Sequence, residues 1–279
     1  MIANPKACVI GDPVAHSRSP MIHGYWLKTL GLPGAYERAH VKAADLAAFV
    51  RAMPDNGYVG ANVTVPHKEL IFSLAADISE RARAVGAANT IWFDDGGLCA
   101  DNTDVLGFLA HLDQTHPDWK SVADHAVILG AGGASRGILH ALLTRGVERI
   151  TLVNRNVERA EALARDMRGD ISVNSWSDLP SAIRGAGLLI NTTSLGMAHQ
   201  PPLDCPLDGL RGDAIVNDIV YIPLETDLLK QARLRGLRAV DGLGMLLHQA
   251  APGFARWFGA APEVTPELRA LIEADIRKS

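Results

Sequence analysis

Residues 125–137 read HAVILGAGGASRG, and the reading of this stretch decides half of the fold. The apolar run AVIL leads straight into Gly130-Ala131-Gly132-Gly133, and a helical pattern then starts near Ala134 and stops at Gly146. Gly130 suits a tight turn, and Gly132 lets the backbone approach a pyrophosphate at the N-terminus of the helix. Ser135 stands where the third glycine of the G-x-G-x-x-G fingerprint is usual, and it is small enough for close helix–strand packing. Taken alone the fingerprint is weak, since an ordinary glycine turn has the same letters. Its surroundings strengthen it. RITLV, LLI, AIVND and LRAV follow as buried runs separated by helical segments, which is the rhythm of βαβ units in a parallel sheet. Residues 105–241 therefore read as a Rossmann-type dinucleotide-binding domain, with Gly130, Ala131, Gly132, Gly133 and Ala134 forming the phosphate turn.

The run RITLV ends in Asn154-Arg155-Asn156, and Arg159 lies one helical turn further on. An NAD site normally places Asp or Glu here to hold the ribose hydroxyls. Two guanidinium groups match a 2′-phosphate instead. The other reading is a solvated helix start with spare positive charge. Position after the second strand favours the phosphate, so the expected cofactor is NADP, held by Asn154, Arg155 and Arg159.

Toward the N-terminus the pattern changes. ACVIG, AYERAHV and YVGANVTV read as strands, and SPMIHGYWLKTLG, ADLAAFVRAM, HKELIFSLA and ISERARAVG as helices. AANTIWF and GLCADN flank Asp94-Asp95-Gly96-Gly97, a turn sequence suited to a β-hairpin. The hairpin makes this sheet mixed, in an α/β domain over 1–104. Past Asp241 the chain is helical again. GLGMLLHQA and PGFARWF are separated by Pro252, expected to break or kink the run, and PELRALIEADIRK closes the chain. These helices, 242–279, are expected to complete the first domain, with a cleft between the two domains.

A net charge of -4 argues against nucleic-acid or membrane-surface partners, and no apolar run approaches the roughly 18 residues of a membrane span. MIANPKACVIGDPV enters a strand pattern without a basic leader. Cys8, Cys99 and Cys205 are far apart and odd in number, which fits buried thiols in a reducing compartment. A cytoplasmic protein without a metal is expected.

Two further stretches carry polar chemistry. In GDPVAHSRSPMIHG, Ser17 and Ser19 fall on one side of an extended chain and Arg18 on the other, just before a helix opens at Ser19-Pro20. Two hydroxyls beside free helix amides suit an anion or a polyol oxygen, while an ordinary N-cap needs only one serine. In NVTVPHKEL (62–70), Val63 and Val65 point to one face of a strand and Asn62 and Thr64 to the other. Pro66 ends the strand, and Lys68 is left on the first helical turn. A lone lysine there is ordinarily a solvated surface residue.

The motifs taken together resemble the shikimate dehydrogenase family nearly end to end. They run H-S-R-S-P (16–20), N-V-T-V-P-H-K (62–68), A-A-N-T (87–90), D-N-T-D (101–104), G-A-G-G-A-S-R-G (130–137) and N-R (154–155). N-T-T-S-L-G-M (191–197), Y-I-P-L-E-T (221–226) and D-G-L-G-M-L-L-H-Q (241–249) complete the order. The resemblance implies reversible, NADPH-dependent reduction of 3-dehydroshikimate to shikimate, on the route to chorismate and the aromatic amino acids, by a monomer or homodimer. It also implies residue roles. Ser17 and Ser19 would hold the substrate carboxylate with Tyr221; Thr64, Asn89, Asp104 and Gln249 would hold the ring hydroxyls; Lys68 would be the catalytic acid/base, coupled to Asp104. Glu80, Ile219 and Gly242 match positions near the cofactor. Val105 replaces the usual glycine after the aspartate, and Ile222 the usual asparagine after the tyrosine.

The chemistry agrees with this assignment, because oxidising a secondary alcohol requires a proton acceptor at the hydroxyl while the nicotinamide takes hydride from the carbon. Three rivals remain at this level. A quinate or dual quinate/shikimate dehydrogenase needs room for one more hydroxyl. A non-catalytic NADP-binding module would be expected to lack Lys68 or Asp104. A methylene-tetrahydrofolate type dehydrogenase does not account for the paired serines or for Asn89, Asp104 and Gln249.

Overall fold

A computed structural model of the chain describes residues 4–167 and 169–278. Met1-Ile2-Ala3 of the N-terminal reading and the last residue of the C-terminal helical segment, Ser279, lie outside the described residues. The chain divides into two compact units, one running up to Gly107 and resuming over Leu247–Lys278, the other covering Phe108–Leu246. No helix among the described residues is long and apolar enough to cross a membrane.

The first unit is built on strands β1 (Lys6–Gly11), β2 (Ala35–His40), β3 (Tyr58–Val63), β4 (Asp77–Ile78), β5 (Thr90–Asp94) and β6 (Gly97–Asp101). Their order in the sheet is β2-β1-β3-β5-β6-β4. β1 runs parallel to β2 and β3, while β5 is antiparallel to both β3 and β6. Alternation along β1 sorts its side chains onto two faces. Cys8 and Ile10 join a core with Leu46, Val50 and Met53, whereas Ala7 and Val9 pack with Tyr36 and Trp257. Helices α1 (Ser19–Thr29), α2 (Leu46–Ala52), α3 (Lys68–Leu74) and α4 (Glu80–Val85) supply the covering layers. β4 is a strand that periodicity does not reveal: two residues paired with β6 cannot display an alternation.

Helix α5 (Asp104–Thr115) carries the chain into the second unit. Its strands are β7 (His125–Leu129), β8 (Arg149–Asn154), β9 (Ile171–Ser175), β10 (Leu188–Asn191), β11 (Ile215–Asp218) and β12 (Arg238–Val240), in the order β12-β11-β10-β7-β8-β9. All pairs are parallel, and the order is that of a doubly wound dinucleotide-binding sheet. Helices α6 (Gly133–Thr144), α7 (Val157–Met167), α8 (Leu179–Ala182) and α9 (Asp227–Leu234) connect the strands. The edge strand β9 has no place in the sequence reading. ISVNS is half polar and only partly buried, so it lacks the apolar run that marks the central strands.

Helix α10 (Gly242–Phe258) corrects the expectation of a break at Pro252, since the helix runs through it. Leu243, Leu247, Ala250, Phe254 and Trp257 are all buried, at helical spacing along one stripe. Burial of that stripe offsets the cost of a mid-helix proline, about 3 kcal/mol. Helix α11 (Pro266–Ile276) follows, its first turn capped by the Thr265 hydroxyl, which accepts from the Leu268 N–H at 3.3 Å.

His23 of α1 is completely buried in the first unit. Its ring stacks on Tyr36 with centroids 3.9 Å apart, and Trp26 meets it edge-on. Burial pushes the imidazole down to about 3, so the ring is neutral in the folded state at neutral pH. The unfolded chain takes up a proton near pH 6.5. Its extra proton binding makes the folded state lose stability as pH falls below that value, by about 1.4 kcal/mol per pH unit, until the folded group itself titrates. His23→Phe removes this dependence. Urea midpoints between pH 7 and 5 should fall less steeply for the variant than for the parent, and parallel slopes would show that His23 is not the group responsible.

Candidate active site

The sequence placed its polar candidates on segments far apart, and the first sheet gathers several of them at one edge. β3 and β6 both run antiparallel to β5, so they run in the same direction and end together. Lys68 follows the end of β3, Asp104 follows the end of β6, and Asn89 precedes the start of β5. Lys68 Nζ donates to Asp104 Oδ2 at 2.6 Å. Side-chain exposures of 33% and 27% leave this pair reachable by a small molecule but not freely solvated. Asn89, itself buried, donates to Asp104 Oδ1 at 2.9 Å and to Gln249 Oε1 at 3.3 Å. Lys68, Asp104, Asn89 and Gln249, four of the expected substrate-contacting or catalytic residues, are thus joined in one hydrogen-bonded chain. The Thr64 side chain, just past β3, is half-buried.

The serine pair also converges. Ser17 Oγ donates to Ser19 Oγ at 3.2 Å and accepts from the Ser19 N–H at 3.3 Å. Arg18 between them is the residue before α1 and turns away to Asp275, 2.9 Å distant. Arg38 grips the Ser17 carbonyl at 2.7 Å. The loop is therefore pinned by Arg18 and Arg38. Glu80 opens α4 as an exposed residue beside the capping Ser79, and nothing in its surroundings marks a nucleotide contact.

In the second unit, β7 ends at Leu129 and the turn begins at Gly130, whose φ of +106° only glycine adopts readily. Ser135 is fully buried. Its hydroxyl accepts from the Gly132 N–H at 3.2 Å and pairs with the Thr192 hydroxyl at 2.6 Å, which is the close packing its small size predicts. Open space surrounds Gly132 and Gly133, as a turn that admits a pyrophosphate needs. At the end of β8, the Asn156 side chain caps α7 by accepting from the Arg159 N–H at 2.7 Å. Asn154 ends β8, where dinucleotide-binding domains commonly carry an acid, and its amide donates to the Asn156 carbonyl at 2.8 Å. The Arg155 guanidinium has no hydrogen bond or ion pair among the described residues. Arg159 is different: its Nε donates to the Ala131 carbonyl at 2.8 Å, tying α7 to the glycine turn.

Sequence reasoning missed Asp218 at the end of β11. This carboxylate is fully buried and accepts from Thr226 Oγ1 at 2.7 Å, Asn191 Nδ2 at 2.9 Å and the Val220 N–H at 3.1 Å. Burial raises its pKa despite those donors. It fixes the segment that leads from β11 through Ile219 to Tyr221. Ile219 and Gly242 do meet, for a side chain at Gly242 would come within 2.2 Å of the Ile219 carbonyl. Tyr221 is half-buried on the same segment. The only signal for Asp218 in the sequence is an acid closing an apolar strand.

Three family models match the chain: a shikimate dehydrogenase substrate binding domain over residues 9–91, a shikimate/quinate 5-dehydrogenase over 113–198, and a shikimate 5′-dehydrogenase C-terminal domain over 242–271. A shikimate dehydrogenase (NADP(+)) of Rhodopseudomonas palustris strain TIE-1 is 58% identical over 97% of this chain and 96% of its own. One from Methylocella silvestris is 55% identical over 99% of both chains. Among solved structures, a shikimate dehydrogenase in complex with NADP+ aligns with a TM-score of 0.85 at 32% identity, covering 98% of this chain and 95% of that one. A quinate dehydrogenase from Corynebacterium glutamicum in complex with NAD aligns with a TM-score of 0.89 at 31% identity, covering 97% and 99%. With its mixed sheet, its doubly wound sheet and its Lys68–Asp104 pair, the chain belongs to the shikimate dehydrogenase family.

Proposed function

We propose that this chain catalyses the reversible reduction of 3-dehydroshikimate to shikimate with NADPH, residues 1–104 and 242–279 binding the substrate and residues 105–241 the cofactor. The observation that carries the proposal is the 2.6 Å contact between Lys68 and Asp104, with Asn89 on the other oxygen of the carboxylate. NADPH supplies the hydride when bound. The carbonyl oxygen of the substrate then needs one proton, and Lys68 Nζ is the group that donates it; in the oxidation the same nitrogen takes it back. Asp104 holds the ammonium in place. Ser17, Ser19 and Tyr221 bind the carboxylate, and Thr64, Asn89 and Gln249 orient the hydroxyls. The open glycine turn and the unpaired guanidinium of Arg155 fit a phosphorylated dinucleotide, with Gly130, Ala131, Gly132, Gly133, Ala134, Asn154, Arg155 and Arg159 around it. Glu80, Ile219 and Gly242 are kept as cofactor-proximal positions. Cys8, Cys99 and Cys205 are free and buried, which fits a reducing, cytoplasmic compartment, and the proposed state is a monomer or homodimer.

The direct test is absorbance of NADPH formed from shikimate and NADP, with quinate and NAD as comparison arms. Lys68→Ala should lower kcat by about 10²–10⁴, the usual worth of a placed proton-transfer group, with little change in KM. Ser17→Ala should act mainly through KM, because the carboxylate contact exists in ground and transition states alike. Near-parental kcat for Lys68→Ala at saturating shikimate would remove the lysine from the chemistry.

Arg155 and Arg159 should separate in their effects. Losing a hydrogen bond to a charged group costs about 1.5–3 kcal/mol, or one to two decades in Kd. Arg155→Ala should impose that loss on NADP alone. Arg159→Ala should weaken NAD as well, since it also releases the Ala131 carbonyl and with it the turn. Titration of both cofactors against both variants decides this. Equal losses for NAD and NADP with Arg155→Ala would mean that its guanidinium does not meet the 2′-phosphate.

A further inference from the structure

Behind Asp104 lies a chain of buried hydrogen bonds that no assigned role accounts for. The Tyr36 hydroxyl donates to Asn62 Oδ1 at 2.6 Å. Asn62 Nδ2 donates to the Asn89 carbonyl at 3.3 Å and to Thr90 Oγ1 at 3.2 Å. Thr90 Oγ1 lies 3.1 Å from Asn89 Oδ1 and 2.9 Å from Thr103 Oγ1. Asn89 Oδ1 also accepts from the Thr103 N–H at 2.7 Å and from its hydroxyl at 3.1 Å. Asn62, Asn89, Thr90 and Thr103 are exposed by 5%, 3%, 2% and 1%, so water does not compete for these groups.

Donor and acceptor chemistry gives this chain one direction. A backbone carbonyl cannot donate, so the edge of Asn62 facing the Asn89 carbonyl is its amino group. A backbone N–H cannot accept, so the edge of Asn89 facing Thr103 N is its carbonyl. With both amides oriented, Tyr36 must donate to Asn62, and Asn62 to Thr90. The single proton of Thr90 goes to Asn89 Oδ1, directly or through Thr103. The amino group of Asn89 is then left to face Asp104. Its carbonyl is fully engaged by Thr103 and Thr90, and its two amino hydrogens go to Asp104 Oδ1 and Gln249 Oε1.

The geometry points to Thr90, with Thr103, Asn62 and Tyr36 behind it, as positioning residues that hold the Asn89 amide against Asp104 and so hold the carboxylate that seats Lys68. The inference rests on the reading of Lys68 and Asp104 as the proton-transfer pair, and none of the four need touch substrate. Thr90→Val keeps the shape, removes the one proton that continues the chain, and leaves Asn62 Nδ2 and Asn89 Oδ1 each one partner short.

The experiment compares the parent with Thr90→Val and Thr90→Ser at a temperature where urea titration shows all three folded. Loss of one buried hydrogen bond at a positioned group should lower kcat about tenfold in Thr90→Val, with KM for NADP unchanged, and Thr90→Ser should restore it. Independently of activity, the side-chain amide hydrogens of Asn89, followed by NMR, should exchange with solvent faster in Thr90→Val than in the parent and the Ser variant. A Thr90→Val protein that is less stable but keeps parental kcat, or one whose Asn89 amide exchanges as in the parent, would overturn the inference. Failure of the parent itself to oxidise shikimate would count against the proposed reaction, and the amide exchange would still decide whether Thr90 orients Asn89.

Discussion

An ammonium and a carboxylate separated by 36 positions in sequence meet at 2.6 Å, and much of the first unit serves to make that meeting possible. The constraint is topological. Inserting one antiparallel strand, β5, between β3 and β6 makes those two strands run in the same direction, so the residues after each of them emerge on the same edge. A purely parallel sheet would separate them by a longer crossover. The start of β5 comes to that edge as well, which is why Asn89 stands beside both. The register pairs Thr90 with Asn62 on one side and with Asp101 on the other. Asp101 is in turn held by Arg81 at 2.6 Å, so the tip of β6 has a fixed position just before the segment that carries Asp104.

The second unit solves a different problem with the same economy of contacts. The glycine turn after β7 is open around Gly132 and Gly133 and is still held in one arrangement. Glycine at 132 and 133 keeps it open. Its shape comes from the buried Ser135–Thr192 hydroxyl pair beneath it and from Arg159, which reaches over from α7 to the Ala131 carbonyl. Among the described residues, the Arg155 guanidinium has no hydrogen bond or ion pair. Two arginines one helical turn apart that look equivalent in the sequence are thus unequal in the fold, one built into the turn and the other without a partner among the described residues.

Legibility in the sequence followed the length and apolarity of each element. The strand AVIL, its glycine turn and the hairpin around Gly96-Gly97 stand at the places their residues indicate. Buried central strands are long apolar runs, and a two-residue turn with glycine has few alternatives. β4 and β9 escaped because one has two residues and the other is a half-polar edge. At Pro252 the break does not occur, for the opposite reason. Its local cost is real, but the apolar stripe of α10 extends across it.

The sequence by itself determined the fold class, the two kinds of sheet and the identity of the candidate groups. These follow from periodicity, turn chemistry and motif order, which are local or ordered along the chain. Tertiary structure alone decided which edge of Asn89 faces Asp104, that Arg159 belongs to the glycine turn, and that Asp218 braces the segment leading to Tyr221. A hydrogen bond has a direction and a length of about 3 Å. Its partner is chosen by whatever the fold places at that distance, and no spacing along the chain records the choice.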